Sequence, residues 1–431
     1  MPLKLQIAKL IGVVIVALAA SSCTPDVSAP ESALRTPQKT TITALVWAPD
    51  WPDEMHHIAK EFMRLHPDIQ VTVQFMIGNS VEENLEPKVA SNSLPDLISV
   101  NPNAYAASLA DQGILADLSD TDAWRDMVDT LKSDWTSSSN RHFGISGGVA
   151  ATLIYYNKEA FTRAGIRSVP HNFDEFLRVC AQLKKAGIVP IMWNGGFPNM
   201  LGNGPFSAGF ANNIVALQAD WKKKIAAGTL RLDTPEGANI FAKIRLIPER
   251  GYVQKNYMAT NYDEGIKLFT EGKTAMAFHG TWASGRLMHG EGFTTGIFIP
   301  PWNAAGVKPV PVIGSETGFA ITESPNKKTA LLFLKFLTGA GFSIAQNKRQ
   351  NIPPTQSPDV SMVSNAEITN YVKEINRYTV TASPYYSFLP ATTIDLTHTL
   401  MQDVLLGKIT PKQAAHDLDI SIRSAASNDN K

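Results

Sequence analysis

Phe269-Thr-Glu-Gly-Lys-Thr-Ala-Met-Ala-Phe278 runs directly into His279-Gly-Thr-Trp282. Residues 275–278 form a short apolar run that reads as a buried strand. Beyond its carboxyl end stands a loop with a histidine, a threonine and a tryptophan. Working outward, further β-branched or apolar runs fall at 42–47, 69–75, 96–100, 152–156, 296–299 and 318–322. Helical patterns separate them. Met55, Ile58, Ala59, Phe62 and Met63 recur at i, i+3 and i+4 spacing. Asn172-x-x-Glu175 opens a second helix as a capping box, and Gly187 closes it. Residues 327–338 form a third, stopped by Gly339. Thr410-Pro411-x-Gln413 opens the last, with the glutamine expected to reach back to the cap. Strand–helix–strand alternation predicts α/β domains with mostly parallel sheets. Ligands of such sheets bind beyond the carboxyl ends of the strands.

Composition narrows the function. The 431 residues suggest two or three domains, and 44% hydrophobic with 18% charged residues is ordinary for a folded globular chain. Lys plus Arg and Asp plus Glu are each 39, so no basic field draws nucleic acid. Two cysteines, Cys23 and Cys180, exclude a disulfide framework and a multi-cysteine zinc site. Cys180 shares an apolar helix face with Phe176, Leu177 and Leu183 and reads as a small buried hydrophobe.

Lys4 and Lys9 precede an apolar run from Leu10 to Ala20, and small residues then lead into Cys23. About eleven apolar residues are too few to span a bilayer, which needs roughly 20. Residues 1–22 read as an export signal. The cysteine after small residues looks like a lipobox, with Ala20 where leucine is usual. Cys23 is the expected lipidation site and new N-terminus, anchoring the chain to a membrane; the alternative is a plain secretory signal with an incidental cysteine. Residues 23–40, rich in Pro, Ser, Thr and Ala, are a flexible tether.

From the tether onward the chain resembles the bacterial extracellular solute-binding proteins of the maltose-binding type, family 1. The resemblance rests on ordered segments spread over nearly the whole mature chain. They are Ser93-Leu-Pro-Asp-Leu-Ile98, Gln112-Gly-Ile-Leu-Ala-Asp-Leu118, Thr152-Leu-Ile-Tyr-Tyr-Asn-Lys-Glu-Ala-Phe161, the opening quotation with Gly280-Thr-Trp-Ala283, Phe333-Leu-Lys-Phe-Leu337 and Leu405-Leu-Gly-Lys-Ile-Thr-Pro411. It implies the type II periplasmic-binding-protein fold: two α/β lobes, hinge-linked, with the ligand in the cleft between them. Lobe one would hold 41–149 plus 317–345 and lobe two 150–316 plus 346–425. The chain would cross between them near Ala150 and Ser315. The function implied is capture of a sugar or sugar-derived solute outside the cytoplasm and delivery to an ABC importer's permease. The protein would be a monomer without cofactor, metal or nucleic-acid partner. The alternatives are an exported polysaccharide-active enzyme, or a binder of a polyamine or glycerophosphodiester.

A sugar presents hydroxyls at its rim and C–H groups on its faces. Planar hydrogen-bonding groups suit the first and aromatic plates the second, each plate contributing about 1 kcal/mol beyond burial. The loops after the predicted strands supply both. They give Trp47, Asp50 and Trp51; Asn79; Asn101 and Asn103; Trp193 and Asn194; and Trp282. The resemblance places a stacking tryptophan at Trp282, a carboxylate at Asp50, a further acceptor at Glu316 and an aromatic wall at Tyr385 and Tyr386. Trp124, Trp135 and Trp221 lie within helical patterns and read as packing.

Catalytic motifs fail on context. Gly144-Ile-Ser146-Gly-Gly148 has the hydrolase spacing but is followed by a strand rather than a helix. Gly272-Lys273-Thr274 has Lys267 where a P-loop needs its first glycine.

Overall fold

The computed structural model describes residues 39–77, 80–350, 366–375, 378 and 380–429. The export signal, Cys23, nearly all of the tether, and Asn79 lie outside them. Among the described residues nine strands form two sheets. They are β1 (Thr40–Val46), β2 (Ile69–Phe75), β3 (Leu97–Val100), β4 (Val149–Asn157), β5 (Val189–Met192), β6 (Thr274–Gly280), β7 (Thr295–Phe298), β8 (Ile313–Ser315) and β9 (Gly318–Ile321). The first sheet has the order β2-β1-β3-β9 and the second β5-β6-β4-β7, with β8 on β4. The expectation of mostly parallel sheets holds only in the first, where β9 alone runs antiparallel. In the second, β4 is antiparallel to β6, β7 and β8, and only β5 with β6 is parallel. Short apolar runs carry no direction, and β4 enters this sheet from the other one rather than through a helix crossover.

Each sheet has its own core. One is built from residues between Ile42 and Ile145 and between Phe319 and Ala345. The other side of the molecule packs residues from Ala151 to Val312, joined by Tyr371 and by residues from Ala382 to Ile422. The helices that matter for the site are α1 (Pro52–Leu65), α2 (Val81–Ala90), α3 (Ala104–Asp111), α4 (Phe173–Lys185), α5 (Pro235–Glu249), α6 (Tyr262–Thr270), α7 (Ser284–Leu287), α8 (Lys327–Thr338), α9 (Ala340–Arg349), α10 (Ala391–Leu405) and α11 (Pro411–Asp429). Among the described residues no single helix is long and apolar enough to cross a membrane.

Local chemistry explains most boundaries. Asn172 Oδ1 accepts from the Glu175 N–H (3.0 Å), and Glu175 reaches back to the His171 N–H (2.8 Å), closing the start of α4. Gly187 takes φ +75° at its end, a left-handed turn that glycine adopts without strain. Thr410 Oγ1 accepts from the Gln413 N–H (3.1 Å) at the start of α11. Gln413 does not reach back; its amide donates forward to Asp417 (2.8 Å), whose carboxylate is the stronger acceptor. Asp96, almost buried, ties β1 to the start of α8. It accepts from the Thr43 N–H (2.8 Å) and the Ser324 hydroxyl (2.7 Å). Trp124, Trp135, Trp221 and Cys180 are buried in the cores. Burial raises the Cys180 thiol pKa, so the thiol stays protonated and inert.

Two chain passages link the sheets and run side by side. Val149–Ala151 pairs antiparallel with Ile313–Ser315, and Ile145 bridges Phe319. Gly147 is demanded here. A Cβ on it would lie 2.3 Å from the Thr317 carbonyl oxygen. Ser146 is fully buried and its hydroxyl donates to the Gly148 carbonyl (2.6 Å), which removes it as an exposed nucleophile.

Candidate functional site

The passages and the strand-end loops meet where the two cores adjoin. Three clusters form there, and each joins residues distant in sequence.

The first centres on Asp50, in the loop after β1. Arg286 of α7 donates to its Oδ1 (2.9 Å), and the Tyr262 hydroxyl of α6 donates to its Oδ2 (2.8 Å). Arg286 also bonds Asp263 (2.7 Å). Only 11% of the Asp50 side chain is exposed. Burial raises its pKa, and the bonds from Arg286 and Tyr262 oppose that rise. The Asp50 carboxylate was expected to face solute; both its oxygens are instead engaged from the other sheet's side.

The second cluster centres on Arg349, at the end of α9. Its guanidinium donates to Glu316 Oε2 (2.8 Å) and to the Gly147 carbonyl (2.9 Å), so one side chain grips both passages. It lies 4.4 Å from the Trp51 ring centre and 5.1 Å from that of Phe342. Both partners of the ion pair are 6% exposed. Burial lowers the Arg349 pKa, opposed by Glu316 and Asp50. Glu316, expected as a further acceptor, is the ion-pair partner of Arg349. Trp51 was expected as a sugar plate and is 7% exposed beneath this guanidinium.

The third cluster joins the loop after β3 to α2. The Asn101 and Asn103 amides both donate to Glu82 Oε1 (3.0 and 2.8 Å). Asn103 Oδ1 caps α3 by accepting from the Ala106 N–H (3.1 Å). The Thr317 hydroxyl donates to Asn101 Oδ1 (2.6 Å). Beside them the Tyr386 hydroxyl donates to the Ser315 carbonyl (2.8 Å), and its ring stays half-buried.

Trp282, expected as a plate, is half-buried, and its indole folds across Gly280. A Cβ at Gly280 would lie 1.9 Å from that ring, so only glycine lets the loop close this way. His279 is buried between the Tyr262 and Trp282 rings at 5.2 and 5.8 Å. Burial, aided by Arg286, pushes its pKa down to about 3. It is therefore neutral, and since its Nδ1 accepts from the Gly280 N–H (3.0 Å), its proton sits on Nε2. Trp47 is half-buried, and its backbone N–H donates to Ser99 Oγ (2.9 Å).

Two expected residues sit in the interior instead. Trp193 is 1% exposed within the larger core. Asn194, 2% exposed, donates to the Asn261 carbonyl (2.6 Å) and holds the start of α6. They extend the apolar run Val189-Pro-Ile-Met192, and a strand buried on both faces carries its next residues inward with it. Tyr385 is likewise buried, its hydroxyl on His398 Nε2 (2.6 Å). A separate groove of about 610 Å³ lies between α5 and the start of α11, lined by Asn213, Glu236, Asn239 and Lys412, and shares none of the residues above. Among the described residues no group of three or more His, Cys, Asp or Glu side chains is placed to hold a metal ion.

Residues 48–342 match the family model for bacterial extracellular solute-binding proteins. The chain belongs to that family. An uncharacterized ABC transporter extracellular-binding protein of Pyrococcus horikoshii is 23% identical to it over 348 residues, 77% of each chain. Among solved structures, the solute-binding protein RafE in complex with raffinose superposes with TM-score 0.77 at 20% identity, covering 90% of this chain and 99% of RafE. Maltose-bound MalE3 of T. maritima gives TM-score 0.74 at 16% identity over 90% of this chain and all of MalE3. This solute-binding protein thus has the two-lobed fold, with three polar clusters where its cores meet. Tyr262, Arg286, Arg349 and Glu82 carry no sign in sequence of these roles. Arg286 at least follows Trp282 by four residues, and Glu82 opens the helix after the Asn79 loop.

Proposed function

We propose that this protein binds a neutral sugar or sugar-derived solute between its lobes and hands it to an ABC-type permease without turning it over. In this reading, residues 41–149 and 317–349 form lobe one and 150–316 with 366–425 form lobe two. The second boundary moves from 345 because α9 runs unbroken to Arg349. Trp282, Trp47 and Tyr386 supply plates, while the cluster of Glu82, Asn101 and Asn103 supplies the polar side of the site. Lipid on Cys23 holds the protein at the membrane.

The observation that carries the reading is the pairing of charge at the junction. Asp50 is matched by Arg286 and Glu316 by Arg349, each across the molecule. Neutralised pairs favour an uncharged, hydrogen-bonding guest over an ion. Raffinose and maltose, seen in the similar structures, are guests of that kind.

Calorimetric and fluorescence titration with raffinose, maltotriose and chitobiose tests this. At least one should bind in the micromolar range, about −8 kcal/mol. Trp282→Ala should weaken that binding about tenfold or more, the loss of one aromatic plate and its burial. A Trp282→Ala protein that binds as tightly as wild type would remove the proposed plate. Turnover of any of the three sugars would replace the transport reading with an enzymatic one.

A further inference from the structure

Glu82 stands out among the junction carboxylates because no cationic side chain among the described residues meets it. Asp50 and Glu316 face arginines, but among the described residues Glu82 is hydrogen-bonded by the two amides of Asn101 and Asn103. Both amides converge on one carboxylate oxygen, Oε1. No described residue bonds Oε2, and the side chain is only partly buried. Such a carboxylate keeps acceptor capacity on Oε2 while its orientation is fixed at Oε1. The fixing is layered: Thr317, beside the second passage, orients Asn101, and the N-terminus of α3 orients Asn103. Tyr385 in the facing lobe lies near enough for the Glu82 charge to raise its pKa further, after burial. A helix N-terminus also suits a carboxylate in its first turn, where Glu82 stands.

We propose that Glu82 is the lobe-one side chain that hydrogen-bonds the solute, accepting a hydroxyl at Oε2, and that Asn101 and Asn103 are positioning residues rather than solute contacts. This rests on the sugar-binding reading above. A preorganised charged acceptor is a strong selector, since a guest lacking the matching hydroxyl leaves a carboxylate oxygen poorly satisfied. The solute class is thereby narrowed to sugars with a free hydroxyl at that rim. A carboxylate-bearing sugar such as a uronide would meet like charge.

The test is titration of wild type, Glu82→Gln, Glu82→Asp, Asn101→Ala and the Glu82→Gln/Asn101→Ala double variant with raffinose, maltotriose and chitobiose, and with monodeoxy forms of whichever binds. Melting curves check folding. Glu82→Gln should weaken the bound sugar about tenfold or more, as loss of a hydrogen bond to a charged group does. Glu82→Asp, which withdraws the carboxylate by one methylene, should weaken it less. Asn101→Ala should also weaken binding, yet add little in the double variant, because it acts through Glu82. One monodeoxy sugar should bind wild type and Glu82→Gln alike, a result that a merely structural role would not give. Equal affinity of wild type and both Glu82 variants overturns the assignment while leaving the sugar reading intact. Additive losses from Glu82→Gln and Asn101→Ala overturn the positioning role. Failure of wild type to bind any sugar overturns both readings together.

Discussion

Replacing Arg349 by methionine should be the most costly single change at the junction. Methionine keeps the apolar stem of the side chain but removes the guanidinium, and with it the charge, from the 6%-exposed pair with Glu316. It also removes the donor to Gly147 (2.9 Å) and the cation 4.4 Å above Trp51. Breaking one side of a buried ion pair costs about 3–5 kcal/mol, because the remaining charge is stranded in a poor solvent. At ~2.1 cal/mol/K per residue, the roughly 370 described residues convert that into a melting-temperature drop of about 4–6 °C. Urea unfolding followed by tryptophan fluorescence at 25 °C reads the same quantity directly. Glu316→Gln in the methionine background removes the buried carboxylate charge and should recover at least ~1 kcal/mol, a coupling within the usual range for contacting residues. A cost below about 1 kcal/mol for Arg349→Met would match a solvent-exposed pair, and the picture of a buried grip on both passages would be wrong.

Two further outcomes follow from the same geometry. Arg286→Met should disfavour closure of the lobes by about 2 kcal/mol, at the low end for a buried pair because Arg286 is 30% exposed; small-angle scattering of the solute-free protein should show expansion, and Asp50→Asn in that background should reverse it. His279, buried neutral with a pKa near 3 against 6.5 unfolded, takes up its proton only in the unfolded chain between those values; stability should fall by up to about 1.4 kcal/mol per pH unit on acidification below 6.5, and His279→Gln should flatten that slope.

The elements were largely legible because their signals are local. The run 69–75 is β2 to the residue, and Asn172, Gly187 and Thr410 mark helix ends by bonds within four residues. What failed was what distance hides. Nothing in residues 152–156 says that they pair antiparallel with 276–280, since an apolar strand looks alike in both directions. The tryptophans show the same division. Trp282 stands two residues after a glycine across which its ring folds, and it stays half-buried, whereas Trp193 continues an unbroken apolar run and goes inward. That run was a visible signal, and it outweighs position after a strand. Asp50 and Glu316 were found as acidic residues in the right loops, but their arginines lie 236 and 33 residues away. Glu82 escaped because an acid in the first turn of a helix is fully explained by the helix itself.

Hydrogen–deuterium exchange of the protein with and without a bound saccharide tests the interlobe site most directly. Protection should appear together in residues 47–51, 279–287 and 384–387, which belong to both sides of the junction. Protection confined to one side, or centred on the outer groove around Asn213 and Glu236, would contradict a solute held between two lobes.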